Sequence, residues 1–346
     1  MRYRRPAIQQ GILCVVAIFF MAGLICAPEI HAAKLNVVVL TDAAGLGDRG
    51  FNDVCWQGVE RAKREFAIET TFGQSLSAAD YVADLTAAAG DADIVVTLGF
   101  LFVDAVKKVV PRFPHTRFIH IEGDIPGKNV VCFDFKSEEG GYMAGIVAGL
   151  FTKTGKIGVI GGMDIPPVEA YISGFRAGVR TSEQKGHTPI DVIAVSAGSF
   201  DDPEKGTSLA RELIEKGVDI IFSLAGNTST GVADAVKASK HVYWIAEDLD
   251  KDAVIPGRVL TSALKKMDVA VYRAIRDIVQ GEFQAGHFWL GASDGAIDIT
   301  DMTLSKGLFT AGDIKRIERV RRLLKKGAVA VPGRSSQLAD FVPPDL

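Results

Sequence analysis

The sequence predicts an α/β protein of two lobes, each a parallel sheet flanked by helices, joined by a multi-strand hinge. Three observations carry that expectation. Short β-branched runs alternate with longer helical patterns along most of the chain, the rhythm that parallel sheets with crossover helices impose. The alternation comes in two consecutive sets, within 35–121 and 157–245. Residues 34–346 also exceed the length over which a single core keeps growing.

The first 33 residues are set apart as an export signal. Arg2, Arg4 and Arg5 precede an apolar run from Ile12 to Ala27, and a small-residue site follows at Ala32-Ala33, the charged, apolar, cleavable order of a secretory leader. The apolar run falls short of the roughly 20 residues that span a bilayer. Cys26 could carry a lipid, but Ile25 stands where lipoprotein processing wants a small residue. A free exported, periplasmic protein is therefore expected, with Cys26 as its possible membrane anchor.

In the first set, Leu35 to Leu40 reads as a strand and Asp53 to Phe66 as a helix. Ile94 to Leu98 (strand), Val103 to Val110 (helix) and Arg117 to Ile121 (strand) follow. Val130 to Phe135 is a further strand, and Ser137 to Phe151 an apolar, glycine-punctuated helix leading into the second set. There, Ile157 to Ile160, Ile190 to Val195, Ile220 to Leu224 and Val242 to Ile245 read as strands. Val168 to Glu183, Pro203 to Lys216 and Gly231 to Ser239 read as the helices between them. No Pro/Ser linker separates the sets, so the chain passes directly between lobes. Further crossings are expected near Leu260 to Ala263 and near Phe288 to Ala292. The expected division is 34–135 with 262–290 for the N-terminal lobe, and 136–261 with 291–346 for the C-terminal lobe.

The charge balance, 39 basic against 42 acidic residues, creates no field that would draw nucleic acid or an anionic membrane. A small-molecule partner and a monomer are expected, with no cofactor. Cys55 and Cys132 remain outside the leader; they either pair or stand as buried thiols.

Ligands of doubly wound sheets bind beyond the carboxyl ends of the strands, and the stretch TDAAGLGDRGFND, 41–53, lies there after the first strand. Gly45, Gly47 and Gly50 match G-x-G-x-x-G, yet Asp42, Asp48 and Asp53 crowd the place a pyrophosphate would need, and no P-loop lysine is present. The six histidines are dispersed without metal-ligand spacing. His120 and Glu122 could share one side of a strand but lack a third ligand. A Gly-x-Ser-x-Gly elbow is absent, and the three loop aspartates are too spread for the calcium cluster of a nucleoside hydrolase. No enzyme is expected.

The sequence resembles the basic membrane protein family, the PnrA-like purine-nucleoside-receptor proteins of ABC transporters. The residues that carry this are Thr41-Asp42, Gly50-Phe51-Asn52-Asp53 with Trp56 and Gly58, Gly99-Phe100 with Asp104, and Glu139-Gly140 with Met143-Ala144-Gly145. Gly161 to Pro166 leading to Gly174-Phe175, Ala225-Gly226 to Gly231, Asp248 with Asp250, and Thr261 to Lys265 complete the ordered set. The resemblance implies a type I periplasmic-binding-protein fold that closes on a purine nucleoside or nucleobase and presents it to an ABC transporter permease. It also implies that Asp42 accepts from the base, Phe51 stacks on it, and Asp248 and Lys265 address the ribose hydroxyls. Gly226 would allow close backbone approach, and Asn52 would cap the first helix or reach the ligand. Ala246-Glu247 and the polar turn 227–230 depart from the family pattern, which leaves a free base such as adenine open. The alternative is an exported type I protein for a sugar or signalling ligand.

Each residue also has a plainer reading. Asp42 could cap a turn, Phe51 could be a hydrophobic staple, Asp248 could order its loop, and Lys265 could be a solvated surface residue. Trp56 reads as core, Phe100 stands between cleft and core, and Phe175 and Phe200 are weaker second stacking partners.

Overall fold

A computed structural model describes residues 34–183 and 189–345. Residues 1–33, read above as an export signal, with Cys26 among them, and His187 lie outside the described residues.

The first sheet contains β1 (Leu35–Thr41), β2 (Ile68–Gln74), β3 (Ile94–Leu98), β4 (Arg117–Ile121), β5 (Val130–Phe135) and β11 (Gly286–Leu290), in the order β11-β5-β4-β3-β1-β2. Every neighbouring pair in it is parallel. β3 is buried at all five residues, as expected for a central parallel strand covered on both faces. The helices of this lobe are α1 (Phe51–Glu65), α2 (Tyr81–Asp91), α3 (Val103–Val109) and α8 (Met267–Val279). On α1, Val54, Cys55, Gly58, Val59 and Ala62 are buried, the one-sided stripe that docks a helix on a sheet. Gly58 brings it close to α8: a Cβ there would stand 2.3 Å from the Asp268 carbonyl oxygen.

The second sheet is built from β6 (Lys156–Gly161), β7 (Asp191–Ser196), β8 (Ile220–Leu224), β9 (Tyr243–Asp248), β10 (Val259–Lys265) and β12 (Ile297–Ile299), in the order β12-β10-β9-β8-β6-β7. Only the β10–β12 pair is antiparallel among the described strands. Its helices are α4 (Ser137–Phe151), α5 (Pro166–Ser182), α6 (Pro203–Glu215), α7 (Thr228–Ala238) and α9 (Ala311–Lys325). α4 is buried around nearly its whole circumference, the pattern of a helix enclosed by protein. It lies so close to α5 that a Cβ at Gly141 would meet the Tyr171 carbonyl oxygen at 2.1 Å. The glycines that punctuate its sequence are therefore its packing surface. This arrangement is the type I periplasmic-binding-protein fold.

The chain crosses between sheets three times, at Phe135–Ser137, Lys265–Met267 and Leu290–Ala292. The second crossing differs from the sequence expectation of 260–263. β10 continues pairing with β9 to Leu264 and with β12 to Lys265, so Ser262 to Lys265 belong with the second sheet. The crossings are tied together. Lys136 N donates to Leu290 O at 2.9 Å and Lys266 N to Ala296 O at 2.9 Å. The Glu139 carboxylate accepts from Ala292 N at 2.6 Å. Cys55 and Cys132 are separate buried thiols.

A candidate ligand cavity between the lobes

The carboxyl ends of both sheets face one cavity of about 650 Å³, counting the open space at its mouth. Asp42, Phe51, Asn52, Phe100, Gly226, Asp248 and Lys265 all line it. The structure thus brings these seven candidate residues to one cavity.

The first-lobe wall begins in the loop after β1. Gly45 and Gly47 take φ of +63° and +91°, the left-handed region open to glycine, and let the chain reverse before α1. Three carboxylates hold that reversal. Asp42 Oδ1 accepts from Ala44 N and from Asn52 Nδ2, each at 3.2 Å. Asp48 accepts from Gly50 N at 2.9 Å, Asn52 N at 2.8 Å and Asp53 N at 3.1 Å. Asp53 accepts from Gly47 N and Arg49 N at 2.8 and 2.9 Å. Asp48 therefore caps α1 in place of Gly50, which has no side chain to do so. The amides that a pyrophosphate would require are already taken.

Asn52 is not the cap of α1: its backbone N–H is one of those that Asp48 caps, and its side chain donates to Asp42 Oδ1 and Gly45 O on the cavity wall. Phe51 enters the cavity next to Gly99, where a Cβ would lie 3.7 Å from the ring, and Phe100 follows from the end of β3. Trp56 does not line the cavity; it packs edge-on against Phe72, centroids 6.2 Å apart.

The second-lobe wall is assembled from distant strand ends. Gly226, φ +53°, follows β8, and its neighbour across the wall is Glu247. That carboxylate accepts from Ala225 N at 2.6 Å, Gly226 N at 3.0 Å and Ser229 Oγ at 3.4 Å. The departure from the family pattern at Glu247 thus orders the polar turn that also departs from it. Asp248 ends β9 with φ +64°, a strained conformation for a side-chain-bearing residue. Its carboxylate takes no hydrogen bond among the described residues. Phe200 lies over Gly162, where a Cβ would touch its ring at 2.3 Å, and it lines the cavity. Phe175 does not: it is fully buried and stacked on Phe222, centroids 5.1 Å apart.

One contact joins the two walls at the hinge side. Lys265 Nζ, from the end of β10, meets Glu122 Oε1, from the end of β4, at 2.5 Å, and both side chains are buried. Glu122 also has a left-handed backbone, φ +68°. The same ammonium lies 5.5 Å from the Phe51 ring centroid and 5.1 Å from that of Tyr171, within cation–π range. Lys265 is thus not a surface lysine. His120, read beside Glu122 as a metal pair, instead bonds Thr97 Oγ1 at 2.8 Å within the core, and burial lowers its pKa to about 3. Among the described residues, no cluster of metal ligands is present.

The cavity is rich in carboxylates. Burial raises the pKa of Asp42, takes that of Asp48 to about 6 against its backbone donors, and raises that of Glu122 against the pull of Lys265. Burial and then the charge of Asp248 take Glu247 to about 8. Asp248 itself is raised by burial, against Lys265 and Lys251. For Lys265, burial opposes the charge, but Glu122, Tyr171 and Asp248 outweigh it and hold the ammonium protonated. Such an enclosure receives ligand donors readily and resists an added anion.

Sequence reasoning missed the pairing role of Glu122 and the places of Asp48, Tyr171 and Glu247 on this wall. The signal for Glu122 and Glu247 was their position at strand ends facing the cleft.

Residues 35–334 match the family described as ABC transporter substrate-binding protein PnrA-like. A lipoprotein of Pyrococcus furiosus is 30% identical over 307 residues, 85% of this chain and 77% of its own. The ABC transporter nucleoside-binding protein BmpA of Lactococcus lactis is 31% identical over 274 residues, 73% of this chain and 77% of its own. Among solved structures, an ABC transporter solute-binding protein of Aeropyrum pernix superimposes with a TM-score of 0.80 at 26% identity, covering 89% of this chain and 96% of that one.

Proposed function

Because the chain belongs to the PnrA-like family of ABC transporter substrate-binding proteins, we propose that it captures a purine nucleoside or nucleobase between its lobes and delivers it to a membrane permease. The observation that carries this reading is the cavity, lined by Phe51 and Asp42 from one lobe and by Phe200, Asp248 and Lys265 from the other. Flat rings suit any purine, and base–aromatic stacking contributes ~1–3 kcal/mol in single-stranded nucleic-acid sites. Asp42 Oδ2 and the unengaged Asp248 carboxylate accept from ligand N–H and O–H groups, and Lys265 donates. Ligand contacts from both lobes favour the closed form, because only differential affinity shifts such an equilibrium. The nucleoside-binding relative from Lactococcus lactis supports the same ligand class. We further propose export through the leader at 1–33 and a carrier role without catalysis.

The test is calorimetric titration of residues 34–346, unfolded and refolded to strip carried-over ligand, with adenine, adenosine, guanosine, ribose and galactose. A purine is expected to bind, with nucleoside above free base if Asp248 and Lys265 hold the sugar. Binding of a sugar and no purine would sink the purine reading and leave the hinged carrier standing.

A further inference from the structure

We infer that the outward face of α9, together with the turn that feeds it, docks the protein onto an anionic lipid surface. The inference is independent of which ligand the cavity holds.

Acids outnumber bases over the whole chain, 42 against 39, so no overall field draws it to an anion. α9 departs locally from that balance. Its buried stripe is Ile317, Val320 and Leu324. On the opposite face, at steps of four, three and four residues, stand Lys315, Arg319, Arg322 and Lys326, all of them exposed. Those steps keep side chains on one face of a helix, here in a line about 16 Å long. The acids of the helix are engaged elsewhere. Asp313 closes the Thr310 cap, and Glu318 meets Arg321 at 3.1 Å. The inner cations have a partner too, since Arg321 and Lys325 reach Asp298 at 2.8 and 2.9 Å. The four outward cations make no ion pair among the described residues.

A merely solvated helix face mixes signs, because like charges three or four residues apart destabilise the helix. The helix dipole favours Arg322 and Lys326 near the carboxyl end, but it gives nothing to Lys315 and Arg319 earlier in the helix. A single-signed stripe of this kind is therefore not accounted for by the stability of α9.

The turn before α9 supplies a second observation. Leu304 and Leu308 are 49% and 44% exposed, and Lys306 between them is exposed as well. The Thr310 cap opens α9 directly afterwards. Exposed leucines next to a row of cations match the boundary of a bilayer, where apolar side chains enter between headgroups and cations meet phosphates. A soluble polyanion would use the cations and leave the leucines in water. A protein partner would need an apolar or aromatic centre in the patch, and the stripe is made of cations alone. Docking by this face would hold the protein at the membrane plane and raise its effective concentration beside a permease.

The test is co-sedimentation of residues 34–346, which form one compact unit, with vesicles of phosphatidylcholine alone and of phosphatidylcholine mixed with phosphatidylglycerol. Binding to the mixed vesicles alone is expected, and it should weaken as salt screens the cations. Lys315→Ala, Arg319→Ala, Arg322→Ala and Lys326→Ala should each weaken it about fivefold, the worth of one cation at an anionic surface. Gln at all four positions should abolish it. Gln at the exposed Lys63, Lys128, Lys237 and Lys240 makes the same change in net charge and should leave binding within about threefold, since distant surface charges are screened. Leu304→Ser combined with Leu308→Ser should weaken binding at low and high salt alike. Equal binding to both kinds of vesicle, binding to neither, equal losses in the two Gln sets, or unchanged binding in the leucine variant overturns the inference. Capture on heparin without vesicle binding also overturns it and assigns the stripe to a soluble polyanion. Should the fourfold variant fail to fold, the single Ala variants and the salt dependence decide.

Discussion

The two walls of the cavity are made in different ways. On the first lobe, Asp42, Asp48, Asn52 and Asp53 bond to each other's side chains and backbone within one loop. On the second lobe, Gly226, Glu247, Asp248 and Lys265 come from three strand ends, and the buried contact of Lys265 with Glu122 joins residues 143 positions apart. A local loop carries its own hydrogen-bond partners. The distant wall depends on the sheet, and on the opposite lobe, to be formed at all.

The contrast predicts where damage spreads. Lys265→Met should have the largest effect, because it leaves Glu122 and Asp248 buried without their common cation. Breaking a buried pair from one side typically costs about 3–5 kcal/mol, here divided between folding and ligand closure. Calorimetry and thermal unfolding together should register that sum. Purine affinity within threefold of wild type, with an unchanged unfolding temperature, would show that the walls are not coupled through this lysine.

Next in size is a comparison of Asp42→Ala with Asp248→Ala. If the ligand is a nucleoside, both should lose about 1.5–3 kcal/mol of binding, the worth of a hydrogen bond to a charged group. For a free base, Asp42→Ala should lose more than Asp248→Ala. Equal losses for adenine in the two variants would contradict the assignment of base to one wall and sugar to the other. Phe51→Ala should follow, with ~1–3 kcal/mol of stacking lost and the unfolding temperature less affected than in Lys265→Met. Retained affinity in Phe51→Ala would return this ring to the role of a helix-entry staple.

The same contrast explains what was legible in the sequence. The β-branched runs announced most strands because parallel strands buried on both faces cannot alternate in polarity. β2, IETTFGQ, gave no such signal: it is an edge strand with one neighbour, and most of its residues are partly or fully exposed. The second crossing was placed too early because Ser262-Ala263-Leu264 has no turn chemistry to mark it, and only pairing with β12 shows that the strand continues. The loop at 41–53 could be read because its spacing is its structure. Glu122 could not be assigned to Lys265, since nothing local to either residue encodes a contact across the hinge. Glu247 looked like a departure from a family motif, whereas its partners at Ala225, Gly226 and Ser229 make it the support of that turn.

The smallest expected effect sharpens this last point. Glu247 is buried and its pKa stands at about 8, above the 4.5 of an ordinary glutamate. The folded state therefore holds a proton there that the unfolded chain releases at lower pH. Wherever the folded state binds more protons, stability falls as pH rises. This contribution is complete below about pH 4.5 and is lost progressively up to about pH 8. Part of the ligand-free protein's loss of unfolding temperature between pH 5 and pH 8 should therefore come from Glu247. Glu247→Gln keeps an oxygen to accept from Ala225 N and Gly226 N but removes the titration, so its profile should be flatter by that part and its stability at pH 5 close to wild type. Superimposable profiles would assign the pH dependence to Asp42, Asp48 and Asp248 instead. In that event, the second-lobe turn would be held by hydrogen bonding alone, and the carboxylate at 247 would be as replaceable as its departure from the motif suggests.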